Sequence, residues 1–174
     1  FAGATAAKYL RMWSNNGVGV TLIEPNPAHV SCVMSNLVLN NSLPMSALTL
    51  NYDVLRTRFG INIVADAVLG IDGANRRLQL RSGNSMAYDR LIVAPGIAFG
   101  SVSGWSAARA PHAWIAGSQT SLLRTRLQAV PVSGRFIMTI PKSPYRCPPG
   151  PYERACLVAD FLGRRNGIIG GRPK

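Results

Sequence analysis

Three cysteines, two histidines and a few carboxylates are the residues best able to do chemistry in this 174-residue chain. Cys147 stands out by its setting, YRCPPGPYERA over 145–155. It follows Arg146 and precedes a segment that reads as a helix starting near Pro151, where a missing N–H costs nothing. A guanidinium and a helix N-terminus are the company reactive thiols keep, so Cys147 is expected to be a redox or nucleophilic thiol. The prolines around it are stiff and lack N–H donors, which disfavours a pyrophosphate, and hence NAD(P), at this turn. Cys156 falls among Ala155, Leu157, Val158, Phe161 and Leu162 and is expected to be a core cysteine. No two cysteines are two residues apart, and His29 and His112 are not at ligand spacing from them, so no metal site is expected.

A second set of residues suggests a nucleotide. A dinucleotide unit needs a strand, a Gly-rich turn, a helix, a second strand and an acid about 20 residues on. Gly3 stands where the last glycine of such a turn would, before the helix formers of 4–13, and Glu24 ends the apolar run 18–24, 21 residues later. The first strand and two of the glycines are not in the sequence. Further on, YDRLIVAPG (88–96) resembles the Ala-Thr-Gly segment that closes the cofactor site of two-dinucleotide-domain flavoproteins, with Pro95 in place of Thr. The order Gly3, Glu24, meander, Ala-Pro-Gly points to an FAD domain.

The elements that must position these residues follow from pattern. Helices are expected over 4–13, 52–59 (closed by Gly60), 119–130 and from about 151. Strands are expected over 18–24, 61–65, 67–71, 77–81, 86–94 and 135–140, the middle ones forming a β-meander across the turn DGANR. Residues 97–118 read as irregular. The fold class is α/β, a truncated Rossmann-like FAD-binding domain followed by the start of a second α/β domain. The expected division is 1–115 for the FAD domain and 116–174 for the second region, which ends in a divergent tail from about 163. Phe1 opens directly into helical sequence without an initiator Met, and the chain reads as a piece of a longer protein.

Composition sets further bounds. Hydrophobic residues are 47% and charged residues 15%, which favours a packed core over a disordered chain. No apolar run reaches the eighteen residues that a membrane helix needs. The net charge is +12, and residues 121–174 hold ten basic and two acidic groups. That tail suits an acidic partner or a solvated basic face. A nucleic-acid-binding module is the remaining alternative, but zinc-finger spacing, an aromatic-rich basic strand and a heptad repeat are all missing, so no nucleic-acid partner is expected.

Taken together, the sequence resembles the flavoprotein subunit of flavocytochrome c sulfide dehydrogenase. The stretches that carry the resemblance are GATAAKYL (3–10), VTLIEPN (20–26), the Cys-x-x-Ser-Asn of Cys32 to Asn36, YDRLIVAPGI (88–97), PHAWIAG (111–117) and YRCPPGPYERA (145–155). The resemblance implies FAD held by a thioether from Cys32 to the flavin 8α-methyl. Gly3 would lie near the pyrophosphate and Glu24, with Pro25, at the adenosine ribose. Ala67 and Val68 would lie beside the adenine, and Pro95 and Gly96 at the cofactor wall. It further implies that Cys147 is one half of a redox-active disulfide whose partner lies in the C-terminal half of family members. Sulfide would be the substrate, a cytochrome c subunit carrying haem c the electron-accepting partner, and the periplasm the location. A sulfide:quinone or other pyridine-nucleotide-type flavin reductase is the alternative.

Overall fold

A computed structural model of the chain describes residues 1–167. The last positions, 168–174, which include most of the divergent tail, lie outside the described residues. The chain forms two compact units, one made of residues 1–29 and 50–99 and the other of 30–49 and 100–174. The expected division at 115 is a division in sequence order, whereas these units interleave.

In the first unit, helix α1 (Ala2–Trp13) is built on four alanines in its first two turns, the best helix formers. Arg11 in its last turn donates to the carbonyls of Asn16, Val18 and Phe59, which ties the end of the helix to the following loop and to the end of the 53–59 helix. Strand β1 (Thr21–Ile23) follows and pairs in parallel with β4 (Asn62–Val64), Leu22 opposite Ile63. Between them runs α3 (Asp53–Phe59), with Asp53 in its positive first turn and Gly60 closing it in the left-handed conformation. The meander is present: β5 (Val68–Asp72), β6 (Arg77–Leu80) and β7 (Ser85–Ala87) form an antiparallel sheet in that order. Alternation along β6 buries Leu78 and Leu80 and exposes the residues between. Ala7, Tyr52 and Ile61 are the other buried residues here.

The chain passes between units through β2 (Ala28–Val30) and β3 (Thr49–Asn51), which pair with each other. The second unit holds α2 (Asn36–Leu39), a single 3-10 turn at Met45–Leu48, α4 (Ser118–Ala129) and α5 (Gly150–Arg165). Its core is Leu39, Ala113, Leu123, Leu127 and Val158, with Phe136, Phe161 and Leu162 packed against it. Arg165 holds the carbonyls of Leu127, Gln128 and Val130 at the end of α4, and Arg126 those of Ala108 and Arg109. These two basic residues therefore serve to satisfy backbone oxygens.

Three expectations are corrected. Residues 135–140 are not a strand, and the strand expected over 86–94 is confined to β7, leaving 88–97 without a ladder. Both runs are apolar, yet Ile92 and Ile137 are 57% and 79% exposed. A strand exists only by pairing, and an apolar run without a neighbouring strand cannot form one. Helix α5, by contrast, starts at Gly150 as expected, with Pro151 at its second position. Cys156 is exposed, not a core residue. The helical period sets it about 200° away from the buried pair Arg154 and Val158, on the outer face of α5. No helix of the described residues is long and apolar enough to cross a membrane.

Candidate functional site

In the first unit Gly3 lies beside strand β1 and Glu24 follows that strand directly. At Gly3, in the first turn of α1, an added Cβ would lie 3.4 Å from Ala94 Cβ and 3.7 Å from Leu22 Cδ1, in ordinary van der Waals contact. The first turn of α1 thus lies beside Leu22 of β1 and Ala94 of the Ala-Pro-Gly segment. The first turn carries no acidic side chain, so its N–H groups, which have no intrahelical acceptors, face no built-in competitor for an anion.

Glu24 follows β1 directly, its N–H donating to the Val64 carbonyl at 3.0 Å. Its Oε1 accepts from the Asn26 backbone N–H at 2.9 Å and from Asn26 Nδ2 at 2.7 Å, which fixes the carboxylate beside exposed Pro25. A helix N-terminus without acids and an oriented carboxylate one strand away are the donor and acceptor set that a pyrophosphate and a ribose diol require. The residues present fit the nucleotide half of FAD.

Ala67 and Val68 lie where β4 hands over to β5. Ala67 N–H donates to Asp66 Oδ1 at 2.7 Å, and its carbonyl accepts from Arg81 N–H at 2.8 Å. Hydrogen bonds from Ser82 and Ala67 hold the Asp66 carboxyl below its ordinary pKa. Pro95 and Gly96 are exposed, with Gly96 at φ +82°.

In the second unit both sequence-selected thiols sit on exposed turns ahead of helices. Cys32 opens a turn in which its carbonyl accepts from Ser35 N–H at 3.1 Å; Ser35 is buried and Asn36 begins α2. Cys147 adopts φ +58°, a conformation that a residue with a Cβ takes at a cost of about 1 kcal/mol or more. Its carbonyl accepts from Gly150 N–H at 2.9 Å, closing the turn onto the first residue of α5. At Gly150 there is no room for a side chain: a Cβ would lie 2.5 Å from Trp114 Cη2 and 3.3 Å from Cys147 Sγ. The stiff prolines, the glycine and the indole thus hold the Cys147 sulfur against the N-terminus of α5.

Sequence reasoning did not single out the residue that ties this unit together. Arg154, 6% exposed, donates from Nε to Asn36 Oδ1 at 3.0 Å. Its Nη1 reaches the His112 carbonyl at 2.5 Å and its Nη2 the Ala113 carbonyl at 2.8 Å. The guanidinium also lies over the Trp114 ring, 5.0 Å from its centroid. Burial pushes its pKa down while the neighbouring Glu153 carboxylate opposes the shift. A legible signal existed: Arg154, Val158 and Phe161 share one face of α5 at helical spacing, so the arginine sits in an apolar stripe.

His112 stacks on Trp105 with ring centroids 5.5 Å apart, and its Nδ1 accepts from the Trp114 backbone N–H at 2.9 Å. Burial, then the Arg154 charge, lowers its pKa from the ordinary 6.5. A protonated Nδ1 could not accept that bond. Below pH 6.5 the unfolded chain therefore binds more protons than the folded one, and stability falls as pH drops towards the lowered value. His29, lowered chiefly by burial, acts in the same direction in the first unit. Urea midpoints are expected to be lower at pH 5.5 than at pH 7.5. His112→Asn keeps an acceptor for Trp114 without a titrating ring and is expected to reduce that difference; an unchanged difference contradicts the assignment.

Comparison with known proteins divides the chain in sequence order. Residues 120–168 match the central region of the sulfide dehydrogenase (flavocytochrome c) flavoprotein chain. Among solved structures, a sulfide:quinone oxidoreductase from the hyperthermophilic bacterium Aquifex aeolicus is similar over 72% of this chain, at 18% identity and a TM-score of 0.59. The present chain spans 29% of the length of that protein, and the likeness is one of fold. It agrees with a Rossmann-type α/β domain. Since residues 1–119 match the pattern of the pyridine nucleotide-disulphide oxidoreductases, well over half of the sequence, the chain belongs to that family of flavoproteins, and its resemblance to the flavocytochrome c sulfide dehydrogenase flavoprotein stands within it.

Proposed function

We propose that the chain is part of an FAD-dependent sulfide dehydrogenase of the flavocytochrome c type. The observation that carries this reading is the Cys147 turn. A cysteine in a left-handed conformation is pressed by Gly150 and Trp114 against a helix N-terminus, within the segment that matches the sulfide dehydrogenase flavoprotein. Strain kept at the thiol itself suits a residue held for chemistry.

In this reading the α1 N-terminus beside Gly3 takes the pyrophosphate of FAD and Glu24, with Pro25, the ribose. Ala67 and Val68 line the adenine, Pro95 and Gly96 form the wall of the cofactor site, and Cys32 forms the thioether. FAD, when bound, supplies a two-electron acceptor. Cys147 is one sulfur of a disulfide whose other cysteine belongs to the part of such proteins that this chain does not cover. Hydrosulfide attacks that disulfide; a new S–S bond forms as the old one breaks, leaving a persulfide and a thiolate. The proline turn keeps the Cys147 sulfur in one place through this exchange. A cytochrome c subunit with haem c is the proposed electron acceptor, and the periplasm the proposed location.

The test is acid precipitation of the flavin-loaded protein. Flavin is expected to stay with the precipitated polypeptide, and Cys32→Ser to release it entirely into the supernatant. Flavin released from the unaltered protein would instead favour the sulfide:quinone type of reductase, which shares the fold without requiring the Cys32 bond.

A further inference from the structure

We infer that Arg154 is a positioning residue that sets the two thiol-bearing turns of the second unit in register. The inference rests on the reading above that Cys32 and Cys147 are the working sulfurs, and it adds how this chain places them. Three segments end on one guanidinium. The first is α5, which carries Arg154 and begins three residues after Cys147. The second is α2, whose first residue Asn36 accepts from Nε and lies four residues after Cys32. The third is the 112–114 strip, whose two carbonyls accept from Nη1 and Nη2 and whose indole lies beneath the cation.

The chain of contacts reaches both sulfurs. On one side, Trp114 under the guanidinium abuts Gly150, and Gly150 abuts the Cys147 sulfur and bonds its carbonyl. On the other, Asn36 follows buried Ser35, whose N–H bonds the Cys32 carbonyl. No carboxylate meets the Arg154 side chain in these bonds; all three acceptors are neutral oxygens. A buried cation that forgoes a counter-ion in favour of three oxygens on two separate segments is placed by geometry, for which the planar five-donor fork of arginine is suited and the point charge of lysine is not.

The distinction between charge and fork gives the test. In the full chain, the alkylation rate of each cysteine is read by mass spectrometry after timed exposure to iodoacetamide. Cys156, exposed on the outer face of α5 two residues beyond Arg154, is the internal control. Arg154→Lys keeps the charge and loses the fork. It is expected to change the rates of Cys32 and Cys147 together by about threefold or more, with Cys156 unchanged. Asn36→Ala cuts only the branch to the first turn and is expected to move Cys32 and spare Cys147. Adding Arg154→Lys to Asn36→Ala should then shift Cys32 no further.

Equal rates in the parent and Arg154→Lys overturn the inference. So does a change at only one of the two turns, or a change at all three cysteines, which would report general loosening of the helix. The assay reads the free thiols without flavin or sulfide, so its failure is separate from any failure of the sulfide dehydrogenase reading.

Discussion

Cys147→Ser is expected to abolish sulfide-dependent reduction of the flavin in the assembled holoenzyme, lowering the rate by about 10³-fold or more. A hydroxyl can neither form the disulfide that hydrosulfide attacks nor leave as a stabilised anion. The substitution changes one exposed atom of a turn that is held by its backbone, Gly150 N–H to the residue-147 carbonyl, and by the prolines. The fold and the flavin content should therefore be retained. Stopped-flow absorbance of the oxidised flavin after mixing with sulfide checks this. A variant that still bleaches at a tenth of the parent rate would remove Cys147 from the reaction.

Arg154→Ala is expected to have the largest effect on stability, a loss of about 3 kcal/mol. Removing the guanidinium strands Asn36 Oδ1 and the His112 and Ala113 carbonyls, and takes the cation from over Trp114. Relief of the desolvation of a buried charge offsets part of that loss, but the buried Ala113 carbonyl is left without its donor and the half-buried Asn36 and His112 oxygens lose theirs. The denaturant midpoint of the full chain measures it. Arg154→Lys should lose less, because an ammonium can still serve some of the three acceptors. A midpoint in the alanine variant equal to that of the parent would mean that water replaces the fork at no cost.

Local signals made several elements readable in advance. Alanine-rich α1, Gly60 closing α3 with φ +61°, and the alternation with turn residues that makes the β5–β6–β7 meander are all encoded within about ten residues of each other. The runs at 88–94 and 135–140 were misread for the opposite reason. Their apolar content satisfies a strand pattern, but pairing is a property of the neighbour. The short elements β2, α2 and β3 gave no readable period, since three or four residues cannot display one.

The candidate site divides along the same line. Residue types and spacing by themselves determined that the chain carries a dinucleotide-type helix start at Gly3, an acid at the end of β1 in Glu24, and a proline-locked thiol at Cys147. Those are chemical identities and short distances along the backbone. Only the tertiary structure decided that Ala94 closes on Gly3, that Trp114 backs Gly150, that Cys156 faces outward, and that Arg154 draws its acceptors from residues 36, 112 and 113. The Arg154 bonds span 118, 42 and 41 positions of the chain. Their donors and acceptors are generic groups present throughout the sequence, so only the packing that buries Arg154 and Ala113 selects which ones meet.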